Sequence, residues 1–142
     1  MITRDMARGM LEQAEAIFEE AIYLSQKQKW NLVVRRCQEC VELSLKASLL
    51  YVGVEIPKIH DVGPLLKRYK NRFPKDFSIR ITELASISRS LRAEREISFY
   101  GDEQSGIPPN ELYTQDDAHE AIEKAKVVLE ACKHLVEDEN GE

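Results

Sequence analysis

Apolar residues recur at helical spacing along most of the chain, and most densely between Trp30 and Val54. On a helical wheel Trp30, Val33, Cys37, Cys40, Val41, Ser44, Ala47, Ser48, Tyr51 and Val52 share one face, with Leu32, Leu43 and Leu50 on an adjoining flank. Only a narrow polar strip remains, formed by Arg35, Gln38, Glu39, Glu42 and Lys46. An apolar surface that wide predicts a helix covered on two sides, at the centre of a bundle. Gly53 is a natural stop, and Pro57 prevents the helix from resuming nearby.

The same periodicity predicts four further helices. The first covers about 3–27, with Met10, Ala14, Ile17, Phe18, Ala21 and Leu24 on its inner face and Thr3 as N-cap. Only Gln28-Lys29 separates it from the central helix at 30–53, so the two should pack antiparallel. A short helix at 62–71, capped by Asp61, precedes the break at Pro74. A fourth covers 76–98 with the stripe Phe77, Ile81, Leu84, Ala85, Ser88 and Leu91. Extended, that stripe lands on Arg92, Arg95 and Phe99. After the Gly- and Pro-rich segment 101–113, Thr114 and Asp117 form a capping-box-like start to a last helix at 114–137. The expectation is one all-α domain over 1–142, an antiparallel bundle of four long helices and one short one.

Composition leaves this picture unchanged: 142 residues, 32% charged and 43% hydrophobic, are ordinary for a globular domain. No apolar run reaches the ~18–20 residues that span a bilayer, so no membrane segment is expected. The N-terminus MITRDMARG lacks the apolar core of a secretory leader, and three cysteines are an odd number. Together they predict reduced thiols and a cytoplasmic location.

Charge does alter the picture. The net charge is −5, yet nine basic and three acidic residues lie between Lys67 and Arg95, so that segment carries +6 and the remainder −11. A local positive field of this kind suits a phosphate or an acidic partner, or balances acidic neighbours within the fold. Arg92 and Arg95 are the most informative members, because a guanidinium on a core-facing stripe must be paired. Glu15, Glu39 and Glu42 are candidate internal partners, and a phosphate gripped by the guanidinium forks is the alternative. Tyr100, beside them, could stack a base or plug the core.

Other candidates read as structural. Cys37-x-x-Cys40 lies on a packed helix face, with Cys132 the only other thiol and no His at ligand spacing. These are expected to be core cysteines, with no metal and no cofactor. His60-Asp61 could pair an imidazole with a carboxylate for acid–base work, but residue types alone favour a cap and a backbone hydrogen bond. His119 and His134 are expected to be incidental.

Trp30 with Val34–Ala47 (VRRCQECVELSLKA) resembles the second-helix signature of the HEPN domain family. Gly53-Val54, Pro57-Lys58 and His60-Asp61-Val62 are similar to its continuation. Arg95, Tyr100-Gly101-Asp102, Pro108-Pro109, Tyr113-Thr114 and Asp117-Ala118 are similar to its later pattern. The resemblance implies an all-α bundle that forms homodimers, often beside a small nucleotidyltransferase in prokaryotic toxin–antitoxin modules. Many members are metal-independent ribonucleases whose signature is Arg, four to six residues, then His. Here no His follows Arg92 or Arg95 at that spacing; Tyr100 stands there instead. A tyrosine, with a pKa near 10, is a poor general base at neutral pH. The expectation is therefore a non-catalytic module that binds a nucleotide, an RNA or a partner protein through Arg92, Arg95 and Tyr100. The alternative is a divergent ribonuclease in which Arg95 acts with Tyr100 or His60.

Overall fold

The computed structural model describes residues 2–56 and 61–140. Two long helices, α1 (Ile2–Gln26) and α2 (Trp30–Tyr51), form a hairpin, and the last long helix, α8 (Gln115–Asn140), packs against both. Between them come α3 (Gly63–Arg68), a 3-10 turn (Lys70–Arg72), α4 (Lys75–Ser78), α5 (Ile81–Arg92), α6 (Ile97–Tyr100) and α7 (Pro109–Leu112). Helix α3 rests on α5, and α5 and α6 rest on α2. The described residues contain no strand, only one isolated bridge between Asp102 and Ile107. The fold is all-α, as the periodicity predicts.

Helix α2 has no fully exposed residue, which is what its wide apolar surface requires. Val33, Cys37, Cys40, Val41, Leu45 and Leu49 are buried, in one continuous cluster with Ala14 and Ala21 of α1, Leu84 of α5 and Val128 and Cys132 of α8. Alanines on α1 and α8 let these helices approach α2 closely. The polar strip is narrower than the wheel suggests: Gln38 is only 3% exposed, and its amide donates to Glu42 (3.1 Å). Truncating a fully enclosed side chain such as Leu45 to Ala should cost about 2–5 kcal/mol.

The long helices end where the backbone can leave them. At Gly53, φ is +84°, Gly53 N–H donates to Leu50 O and Val54 N–H to Leu49 O, the two bonds of a Schellman motif. The same motif closes α1, with Gln28 N–H on Ser25 O and Lys29 N–H on Leu24 O, but the left-handed position is occupied by Gln28 at φ +60°. At the start of α8, Thr114 N–H and Oγ1 bond Asp117 Oδ2 (2.9 and 3.1 Å) while Asp117 N–H returns to Thr114 Oγ1 (3.3 Å). That is the expected capping box, with Asp in the role of Glu.

Three expectations are corrected. Thr3 is not a cap, because α1 is already helical at Ile2. The predicted helix 62–71 stops at Arg68 and tightens into the 3-10 turn. The predicted helix 76–98 is three pieces, α4, α5 and α6, and its break at 93–96 repositions everything after Leu91. The segment 101–113 is also more ordered than its composition suggests, since it contains α7 and the Asp102–Ile107 turn. His60 lies outside the described residues.

Gln28 carries a side chain in a backbone region that L-residues enter at a cost of roughly 1–2 kcal/mol. Gln28→Gly should therefore stabilise the protein by about 1 kcal/mol, read as a higher midpoint in urea denaturation at an unchanged slope.

Candidate functional site

The break after α5 positions the candidate residues. Glu94 N–H reaches back to Leu91 O and Arg95 N–H to Arg92 O, so the helix tightens to 3-10 spacing before α6 begins. Carbonyls at such a break need donors from elsewhere. They come from α2: Asn31 Nδ2 donates to Ser98 O (3.1 Å), and Arg35 Nη1 donates to Arg95 O (2.6 Å). Ser98, wholly buried, adds its own hydroxyl to Arg95 O (3.3 Å). Arg35 is held in turn by Glu39 (3.3 Å), and its guanidinium lies 4.9 Å over the Phe99 ring. Two polar side chains of the central helix therefore fix both the turn and the aromatic beyond it.

Arg92 and Arg95 are brought together on this turn, each half-buried. Arg92 Nη1 is enclosed and has no hydrogen-bond partner among the described residues. The Arg95 side chain makes no ion pair among them either, although its carbonyl is gripped by Arg35. The internal carboxylates offered by the sequence are committed elsewhere. Glu15 takes Lys133 (2.6 Å), Glu39 takes Arg35 and Arg36, and Glu42 takes Lys46 (3.0 Å). The neighbouring Glu94 accepts the Tyr113 hydroxyl (2.8 Å). Burial and the adjacent Glu94 carboxylate raise the Tyr113 pKa above the ordinary phenol value, so that hydroxyl remains a donor.

Tyr100 is 59% exposed and Phe99 48%, packed edge to face with centroids 4.9 Å apart. The stripe predicts a buried Phe99, and Tyr100 could have been a core plug; the break at 93–96 turns Ser98 inward in their place. Gly101 follows at φ +80°, where an added Cβ would collide with the Ile107 carbonyl oxygen. The chain thus reverses immediately after Tyr100, closed by Asp102 N–H on Ile107 O (2.9 Å). Asp61 Oδ1 accepts Gly63 N–H (3.3 Å) at the start of α3, but the N-cap is Val62, one position later than expected.

A concave groove of about 300 Å³ lies beside the turn, between α2, α5 and α8, lined by Val34, Ser90, Glu94, Tyr113, Asp117 and Lys124 among others. Neither arginine nor Tyr100 is among its lining residues. Sequence reasoning missed it, because Tyr113 and Glu94 lie 19 positions apart and nothing in the pattern links the two. Lys124 bridges Ser90 Oγ and Glu120 (both 3.1 Å), so the groove's cation is already paired.

The described residues hold no cluster of metal-ligating side chains. Burial pushes the Cys37 and Cys132 thiols far above their ordinary value, and that of Cys40 from 9.0 to about 12. All three are free core cysteines, as predicted.

With the geometry in place, comparison with known proteins assigns the family. The sequence profile of the HEPN domain matches residues 7–135. This chain is a HEPN-domain protein. It is similar to "Putative toxin MJ1304" of Methanocaldococcus jannaschii, at 27% identity over 95% of this chain and 91% of that protein. Among solved structures, the HEPN domain described here is similar to ST0689, an archaeal HEPN homologue. That likeness has TM-score 0.70 and 27% identity, covering 92% of this chain and 97% of the other. TT1696 from Thermus thermophilus shares the fold, with TM-score 0.73 and 22% identity over 90% of this chain and 96% of that one. No described helix of this HEPN domain is long and apolar enough to cross a membrane.

Two outcomes are expected. Asn31→Ala leaves the buried Ser98 carbonyl without its donor and should cost about 1–3 kcal/mol in chemical denaturation. Because a thiolate is the reactive form, the native cysteines should resist iodoacetamide at neutral pH and react only after unfolding. Folded-state pKa values above the ordinary one keep the thiols neutral in the fold. Their contribution to stability is present below about pH 9 and is lost as the pH rises from there through about 12.

Proposed function

We propose that this HEPN domain is a non-catalytic module that binds a nucleotide or RNA phosphate at Arg92, Arg95 and Tyr100. The observation that carries this reading is that Arg92 and Arg95, three positions apart and both partly exposed, make no ion pair among the described residues. A half-buried guanidinium without a carboxylate is costly, and an incoming phosphate supplies the missing acceptors in bidentate geometry. Exposed Tyr100 and Phe99 offer ring faces and edges next to those charges, the arrangement that stacks a base beside its phosphate.

Cleavage by the Arg-and-His route is not part of the proposal. Five positions after Arg95 comes Tyr100, where that signature has a histidine. We further propose a homodimer that buries the exposed Ile97, Phe99 and Tyr100 edge in part, so that two copies of the arginine pair share one cleft. The toxin named among its relatives supports a role within a toxin–antitoxin pair; the nucleotidyltransferase partner rests on the family resemblance alone. A cytoplasmic setting accords with the three free thiols.

Titration of the full chain with ATP and with short single-stranded RNA tests the site. Arg95→Ala should weaken binding at least tenfold, the loss of roughly 1.4 kcal/mol or more expected for a charge-assisted contact. Equal binding by wild type and Arg95→Ala removes that residue from the site. Incubation with RNA should give no cleavage beyond that of an Arg92→Ala, Arg95→Ala double variant. Sedimentation at micromolar concentration should show a dimer.

A further inference from the structure

A second basic surface lies away from Arg92 and Arg95, at the opposite end of α5. Residues 67–80 contain Lys67, Arg68, Lys70, Arg72, Lys75 and Arg80 against the single acid Asp76, so this stretch carries +5 in a chain of net −5. Its backbone is short and tightly turned: the last turn of α3, the 3-10 turn and α4. Leu66, Phe73 and Phe77 anchor it inward, the two phenyl rings stacked 4.6 Å apart, and the cations are left facing outward.

Most of these cations lack a counter-charge among the described residues: of the six, only Arg80 is paired with a carboxylate, Glu83 at 3.2 Å. Arg35, Arg36, Lys46, Lys124 and Lys133 are each paired with a carboxylate. Lys67, Arg68, Lys70 and Lys75 are exposed and make no ion pair among the described residues. Arg72 is tied only to the Gly53 carbonyl (3.1 Å) and lies 5.1 Å over the Tyr69 ring. The one acid is occupied from the other side, where Asp76 Oδ2 meets His134 of α8 at 3.1 Å. Helix α5, about 18 Å long from twelve residues at 1.5 Å each, separates the end of this stretch from Arg92.

We propose that the surface formed by Lys67, Arg68, Lys70 and Lys75 binds the phosphate backbone of a single-stranded nucleic acid, independently of base identity. Unpaired cations at close spacing neutralise successive phosphates and release counterions. The composition favours this partner over a protein. Ile79 is the only large exposed apolar side chain in the stretch, whereas a protein interface needs an apolar centre within its polar rim. Phosphates are spaced along a strand and a mononucleotide offers only one cluster, so this surface discriminates polymer from nucleotide. The proposal stands whether or not Arg92 and Arg95 bind a nucleotide.

The experiment is fluorescence anisotropy of a labelled single-stranded RNA of about fifteen nucleotides with the full chain, across a range of KCl concentrations. The Lys67→Gln, Arg68→Gln, Lys70→Gln, Lys75→Gln variant should bind at least tenfold more weakly. Its log affinity should fall less steeply with log salt, by up to about 3 in slope for four phosphate contacts on a single strand. Its ATP binding should match wild type, and its melting temperature should be unchanged. If that variant melts early, Lys70→Glu with Lys75→Glu should give the same loss from two exposed positions. Equal affinity and slope for wild type and variants, or no RNA binding by wild type, overturns the proposal. So does loss of binding to vesicles rich in acidic phospholipid, or to polyglutamate, with RNA binding retained. Loss of ATP binding in Arg95→Ala concerns only the nucleotide reading, because the RNA salt slope reports on this surface separately.

Discussion

A helix interrupted inside a packed bundle leaves carbonyl groups that must find donors, and the rest of this structure is arranged around supplying them. The break at 93–96 exposes the Arg95 carbonyl, and α6 presents that of Ser98. Arg35 and Asn31 reach them from α2. Without these two donors, buried acceptors would be left unsatisfied at a cost comparable to a large share of a small domain's net stability. The central helix therefore has two roles. Its apolar surface gathers α1, α5 and α8, and its polar strip near the N-terminus holds open a turn that apolar packing alone would not specify.

Charge is sorted by the same architecture. The acids of α1 and α8 pair locally with Arg36, Lys124 and Lys133. Glu39 and Glu94, near the break, are taken by Arg35, Arg36 and Tyr113. From α3 to the end of α5, by contrast, most cations have no counter-charge among the described residues, Arg80 with Glu83 being the paired one. In a chain of net negative charge, such a run is more than average surface composition; its field is local and points to a local anion.

Much of the fold was legible because periodicity reports burial directly. The wide face of α2, the short α1–α2 link, the stop at Gly53 and the Thr114–Asp117 box all follow from spacing and side-chain type. The cysteines were legible for the same reason, since they lie on the packed face. The break after α5 was not. No Gly or Pro marks it, and Ala93, Glu94, Arg95 and Glu96 are all good helix formers. It exists because tertiary hydrogen bonds from residues some 60 positions away outweigh local propensity. That one omission put Phe99 on the wrong side and hid the Ser98 contact. The arginine pair could be named from the stripe, but its lack of a partner required knowing where each glutamate goes. Gln38, assigned to the polar strip, is buried because α2 is covered more completely than a wheel can show.

Arg95 is gripped by its carbonyl oxygen, an atom common to all twenty amino acids, while its guanidinium is left to whatever approaches from outside. Scaffold and function are thereby uncoupled within a single residue. The position behaves as a socket: the chain keeps its path whichever side chain is mounted there, and the chemistry displayed on the turn can be exchanged without rebuilding the bundle behind it.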